Sequence, residues 1–158
     1  MIENRSADYV LRHLRFGWLA LLLFIMFGSV LESLHGFKVG WYLDVDNETR
    51  RLMWRLCHAH GTLLGLLNVA FAVSLPHLPN GLSGIRWISL ALRMASLLIP
   101  GGFFLGGAIV YSGDPGLGIL LLPLGAFLLI ASIAGIALSA WRTPNESGST
   151  DESLTDSE

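Results

Sequence analysis

Charge is scarce in this chain. Of its 158 residues 14% are charged, against about 25% in an ordinary soluble domain. Ten basic and twelve acidic side chains leave a net charge of -2, which excludes the basic footprint of a nucleic-acid binder. The single cysteine, Cys57, excludes an internal disulfide and any zinc site built from several cysteines. No glycine-rich phosphate loop opens a helix and no serine sits in an elbow motif, so neither an ATP-driven pump nor a membrane hydrolase has support. What fills the chain instead is apolar: 53% of the residues are hydrophobic and the mean hydropathy is +0.58. The length allows one domain. These proportions describe a small integral membrane protein.

Four apolar runs stand out, about 16–34, 52–75, 87–111 and 117–141. Each is near the roughly 20 residues that a helix needs to cross a bilayer core of about 30 Å. Helix is required, because backbone groups in lipid must pair within their own segment and the runs lack the alternation of barrel strands. The first run follows Arg12 and Arg15, as in a signal peptide, but is longer than a signal h-region and has no small-residue cleavage site after it. It therefore reads as a retained helix. Short connections make consecutive helices antiparallel neighbours, giving an all-α, up-down-up-down, four-helix transmembrane bundle over residues 1–141. Residues 142–158 are rich in Ser, Thr, Asp and Glu and are expected to form a disordered acidic tail.

Basic residues orient the bundle. If the two termini share a side, that side holds Arg5, Arg12, Arg15, Arg86, Arg93 and Arg142, and the other holds Lys38, Arg50, Arg51 and Arg55. The bias puts both termini in the cytoplasm, in a bacterial inner membrane, with the 35–51 loop outside. Asp46 or Asn47 is the expected N-cap of the second helix. Trp and Tyr at 18, 41, 42, 87, 111 and 141 read as interfacial anchors. Gly102 and Gly106 on the third helix, and Ala131, Gly135 and Ser139 on the fourth, mark close-packing faces. Pro100 and Pro123 are expected to kink their helices.

Ionisable side chains inside spans nominate a site. Glu32 and His35 share a face near the outer end of the first helix, continued inward by Gly28 and Ser29. On the second helix Arg51, Trp54, Arg55, His58, Thr62 and Gly65 recur at helical spacing. Antiparallel packing brings Glu32, His35, Arg55 and His58 together in the outer leaflet. His58 and His60 are two apart, about 200° around a regular helix, so they ligate one metal only if the helix breaks near Gly61. Three explanations fit the cluster. One is a structural Glu32–Arg55 ion pair with carbonyl-bonded histidines. Another is a haem or metal site using His35, His58 and His60, with Glu32 as ligand or support and Arg55 and Thr62 behind them. The third is acid–base or proton-relay chemistry through Glu32 and a histidine. Asn68 is placed to hydrogen-bond across the bundle, Arg93 to snorkel to the headgroups, and His13 and His77 share the inner side.

Trp54-Arg55 followed by His58-Ala59-His60-Gly61 resembles the His-x-His signature on helices of haem–copper-oxidase-like membrane proteins. The resemblance spans about a dozen residues, and those proteins take further histidines from other spans, which the third and fourth helices here lack. It implies haem b or copper as the cofactor, with His58 and His60 as ligands. The whole chain also resembles small four-span bacterial membrane proteins. The expected function is then a haem- or metal-binding redox or accessory subunit. The alternative is a non-catalytic membrane subunit or small transporter, in which the buried charges hold the bundle or relay protons. The expected surroundings are the lipid bilayer, with other membrane subunits or a second copy as partners.

Overall fold

The computed structural model describes residues 2–44, 48–78, 82–111 and 113–141. Four helices follow one another: α1 (Ile2–Gly36), α2 (Thr49–Ser74), α3 (Ile85–Ala108) and α4 (Leu121–Ala140). All four are long and apolar enough to cross a membrane, the second and fourth spans taking in the short 3₁₀ turns at Leu75–His77 and Leu117–Leu120. The expected all-α bundle is what forms. The chain alternates direction: His13, early in α1, bonds Asn68 late in α2 and Ser89 early in α3. Each helix packs mainly on its sequence neighbours, and α4 on α3.

The element ends differ from the apolar runs in instructive ways. α1 begins well before residue 16, because the polar residues ahead of the run are compatible with helix and Tyr9 and Val10 pack against the buried cluster of Phe71, Leu75, Leu82 and Leu92. Hydropathy finds where a helix meets lipid, not where it starts. α3 stops at Ala108, and Val110–Tyr111 (β1) pairs antiparallel with Asp114–Pro115 (β2) around the turn at Gly113, whose φ of 95° suits glycine. Pro123 lies in the first turn of α4, where a missing N–H is tolerated, and α3 runs unbroken through Pro100. The N-cap of α2 is Glu48, with no side-chain capping bond, rather than the expected Asp46 or Asn47; those two residues and the tail at 142–158 fall outside the described residues.

Small residues set the interhelical spacing. A Cβ at Gly17 would lie 2.9 Å from the Gly65 carbonyl oxygen, and one at Gly102 3.1 Å from that of Gly118. Backbones approach closely at both crossings, as membrane helices do when they lack a hydrophobic driving force. On α4 the buried seam is Gly125, Ser132 and Ser139, a seven-residue repeat, while Ala131 is exposed.

Candidate functional site

Two polar clusters lie at opposite ends of the bundle. At the end carrying the N-terminus, His13 is fully buried between helices. Its Nδ1–H donates to Asn68 Oδ1 at 2.7 Å, which leaves Nε2 to accept from the Ser89 hydroxyl at 2.8 Å. Asn68 Nδ2 donates in turn to the Leu64 carbonyl and to Ser96 Oγ, both at 2.8 Å, and Ser96 donates to the Leu92 carbonyl at 2.7 Å. The Phe71 ring meets the imidazole edge-on, with centroids 4.7 Å apart. No group here is left over. His13 does not turn to His77, which is exposed, and Arg93 donates to the Ser89 carbonyl on its own helix. The expected cross-bundle role of Asn68 is present, within a larger network than one contact.

The opposite end carries the 37–44 loop and an open cleft of about 970 Å³ between α1 and α2, at the upper end of the roughly 300–1,000 Å³ usual for ligand sites. Glu32, His35, Arg55 and His58 all line it, with Ser29 and Tyr42. The convergence expected from the helix stripes is therefore present. The Glu32–Arg55 ion pair, one of the three explanations, does not form: Arg51 with Glu48 is the one ion pair among the described residues, and Glu32 and Arg55 are both exposed.

His58 is held by a reciprocal fit. Its Nδ1–H donates to the Phe24 carbonyl of α1 at 2.7 Å. A Cβ at Gly28 would lie 2.3 Å from the imidazole, and one at Gly61 would lie 2.3 Å from the Phe24 ring. Each helix thus offers a glycine to the other's ring. The bond to Phe24 puts the proton on Nδ1 and leaves Nε2 with its lone pair. Among the described residues Nε2 has no hydrogen-bond partner and is not a buried unsatisfied atom, so it is accessible, on a residue that lines the cleft.

His60 goes elsewhere. Its Nδ1–H donates to the Leu56 carbonyl at 2.9 Å and its ring lies 4.8 Å from that of Phe103 on α3. α2 is continuous past Gly61, which serves to admit Phe24 rather than to break the helix. His58 and His60 therefore do not converge, and no group of three or more His, Cys, Asp or Glu side chains suited to a metal forms among the described residues. Thr62 donates to the backbone carbonyl of His58 at 2.9 Å rather than to its ring.

An aromatic stack closes the loop end. Trp54 stacks on Phe104 at 5.8 Å and on Tyr42 at 6.4 Å, and its indole N–H donates to the Phe104 carbonyl at 3.1 Å. Arg50 donates to the carbonyls of Trp41 and Gly107, fastening the loop to α3. Tyr42 is therefore a buried wall of the cleft, not the surface anchor its sequence position suggests; Trp18, Trp41, Trp87, Tyr111 and Trp141 are exposed. Burial pushes the Tyr42 phenol above its ordinary range, with Arg55 and Arg51 pulling it down less and Glu32 adding to the rise. Comparison with known protein families, curated proteins and solved structures gives no match.

Proposed function

We propose that this chain is an integral membrane protein that holds a haem or a metal ion in the α1–α2 cleft through His58, as a redox or accessory subunit. One observation carries the reading: the His58 imidazole, on a residue lining the cleft, has its Nδ1–H fixed on the Phe24 carbonyl and its Nε2 unbonded and accessible. A backbone acceptor on one ring nitrogen orients an imidazole and raises the basicity of the other, the usual arrangement behind a coordinating histidine. His35 and Glu32 share the cleft with it. His60, turned to Phe103, has no part in this site. The excess of basic residues at the N-terminal end supports an orientation with both termini cytoplasmic and the cleft in the outer leaflet.

The test is an absorption spectrum and metal analysis of protein purified in mild detergent after haem- and copper-replete expression, for wild type, His58→Ala and His60→Ala. The expected result is a Soret band or stoichiometric copper in wild type and His60→Ala, lost in His58→Ala. A featureless, metal-free wild type would overturn the reading and favour a proton-handling or purely structural cleft.

A further inference from the structure

Glu32 and Arg55 line one cleft, carry opposite charges, and are not paired with each other. Both side chains are exposed, as are Ile25 and Ser29 beside Glu32 and Leu52 and Ala59 beside Arg55. Glu32 lies about one turn inside the end of α1 and Arg55 about two turns inside α2. Charges within a span are costly when they face lipid alone, and they pair with one another where they can. Pairing within the chain is the obvious solution, and this chain does not adopt it. An acid and a base side by side on one exposed face make that face self-complementary under a two-fold axis, the requirement of an isologous contact.

We propose that the α1–α2 face is the contact between two copies of this chain, in which Glu32 of each copy pairs with the partner's Arg55. The apolar residues around the cleft mouth meet their counterparts in van der Waals contact, and the two reciprocal ion pairs set the register. A single charge or two like charges on this face would not do so. The partner's α1–α2 face closes the cleft from the lipid side. The contact stands on Glu32 and Arg55 and not on what His58 binds, so failure of the cofactor reading leaves it intact.

The test is co-capture of two differently tagged full-length copies, co-expressed and solubilised with lipid. Wild-type copies are expected to capture each other. Glu32→Arg alone and Arg55→Glu alone are each expected to lower capture of their own kind by at least about tenfold, since like charges then face across the axis. Co-expressing one copy carrying Glu32→Arg with one carrying Arg55→Glu is expected to restore it, because both pairs re-form, one with its native signs and one with signs exchanged. Absence of wild-type capture overturns the proposal. So does rescue confined to the double reversal within one chain, which would mean that Glu32 and Arg55 pair intramolecularly.

A second readout does not depend on how reversed charges fold. Cys57 is buried at 2% exposure, so a cysteine at Ser29 is the one accessible thiol. Ser29→Cys is expected to form a disulfide-linked dimer in intact membranes. Its absence, with oxidant present and the protein folded, counts against this face. A headgroup lipid bound in place of a second copy would leave the Ser29→Cys protein monomeric, and thus also overturns the proposal.

Discussion

The two polar clusters use the same side-chain types to opposite ends. At the N-terminal end, His13, Asn68, Ser89 and Ser96 are essentially inaccessible and every donor finds an acceptor. At the loop end, Glu32, His35 and Arg55 are exposed to a cleft and His58 keeps one nitrogen bare. A buried polar group that is fully bonded ties helices together and specifies how they meet. A group left open by neighbours that have room to satisfy it is available for something else. Satisfaction, more than burial or residue type, separates the structural cluster from the candidate site.

The largest effect should come from breaking the satisfied cluster. Asn68→Leu removes the acceptor of His13 Nδ1–H and a donor to Ser96 Oγ while filling the space with carbon. Two buried groups losing partners at about 1–3 kcal/mol each gives a loss of roughly 2–6 kcal/mol. The check is a thermal or denaturant melt in detergent. Asn68→Leu melting like wild type would show that these hydrogen bonds specify nothing. His58→Ala, measured beside it, should cost nearer about 1 kcal/mol, since one hydrogen bond to Phe24 is lost from a partly exposed side chain.

Intermediate in size is Gly28→Ala. The added methyl would overlap the His58 ring on one side of the α1–α2 contact, and overpacking of this kind costs about 1–3 kcal/mol. Displacing the ring breaks the Phe24 bond and re-aims Nε2, so any cofactor signal should fall as far as in His58→Ala, with His58 still present. A spectrum unchanged by Gly28→Ala would mean that the ring's seat does not matter. Gly84→Ala, near the other end of the bundle, is the contrast: nothing lies within 4 Å of a Cβ there, and its φ of 74° makes any cost a backbone one. It should leave the cofactor signal alone.

The spans and the loop-end convergence were legible in the sequence because both rest on periodicity. Hydropathy locates helices that meet lipid, and three- and four-residue spacing places Glu32, His35, Arg55 and His58 on facing stripes. The N-terminal cluster was less legible. His13 precedes the apolar run and looks interfacial, although His13, Gly17, Ala20 and Leu21 form a buried stripe at helical spacing. That stripe was the available signal, and it asks for a helix that begins earlier than hydropathy admits. Whether Glu32 and Arg55 pair, and that the His58 ring seats on Gly28 and the Phe24 ring on Gly61, depends on rotamers and interhelical distance. Neither leaves a trace in spacing.

The smallest effect concerns the buried titrating group that borders the cleft outside the spans. Tyr42 is 3% exposed beneath Trp54, and burial raises its phenol above the ordinary value of about 10. Between the unfolded and folded values, the unfolded chain has released the proton while the native one still holds it. Stability therefore falls as pH climbs past about 10, because the unfolded state binds fewer protons there. Tyr42→Phe removes that contribution, so its melting temperature should decline less steeply than wild type above pH 10 and run parallel below pH 9. Parallel curves throughout would mean that the phenol titrates as if in water, and that the loop end is open even where it looks closed. A difference confined to alkaline pH would show that the cleft has one dry, closed wall beside its exposed charges, the asymmetry that a site for a bound group requires.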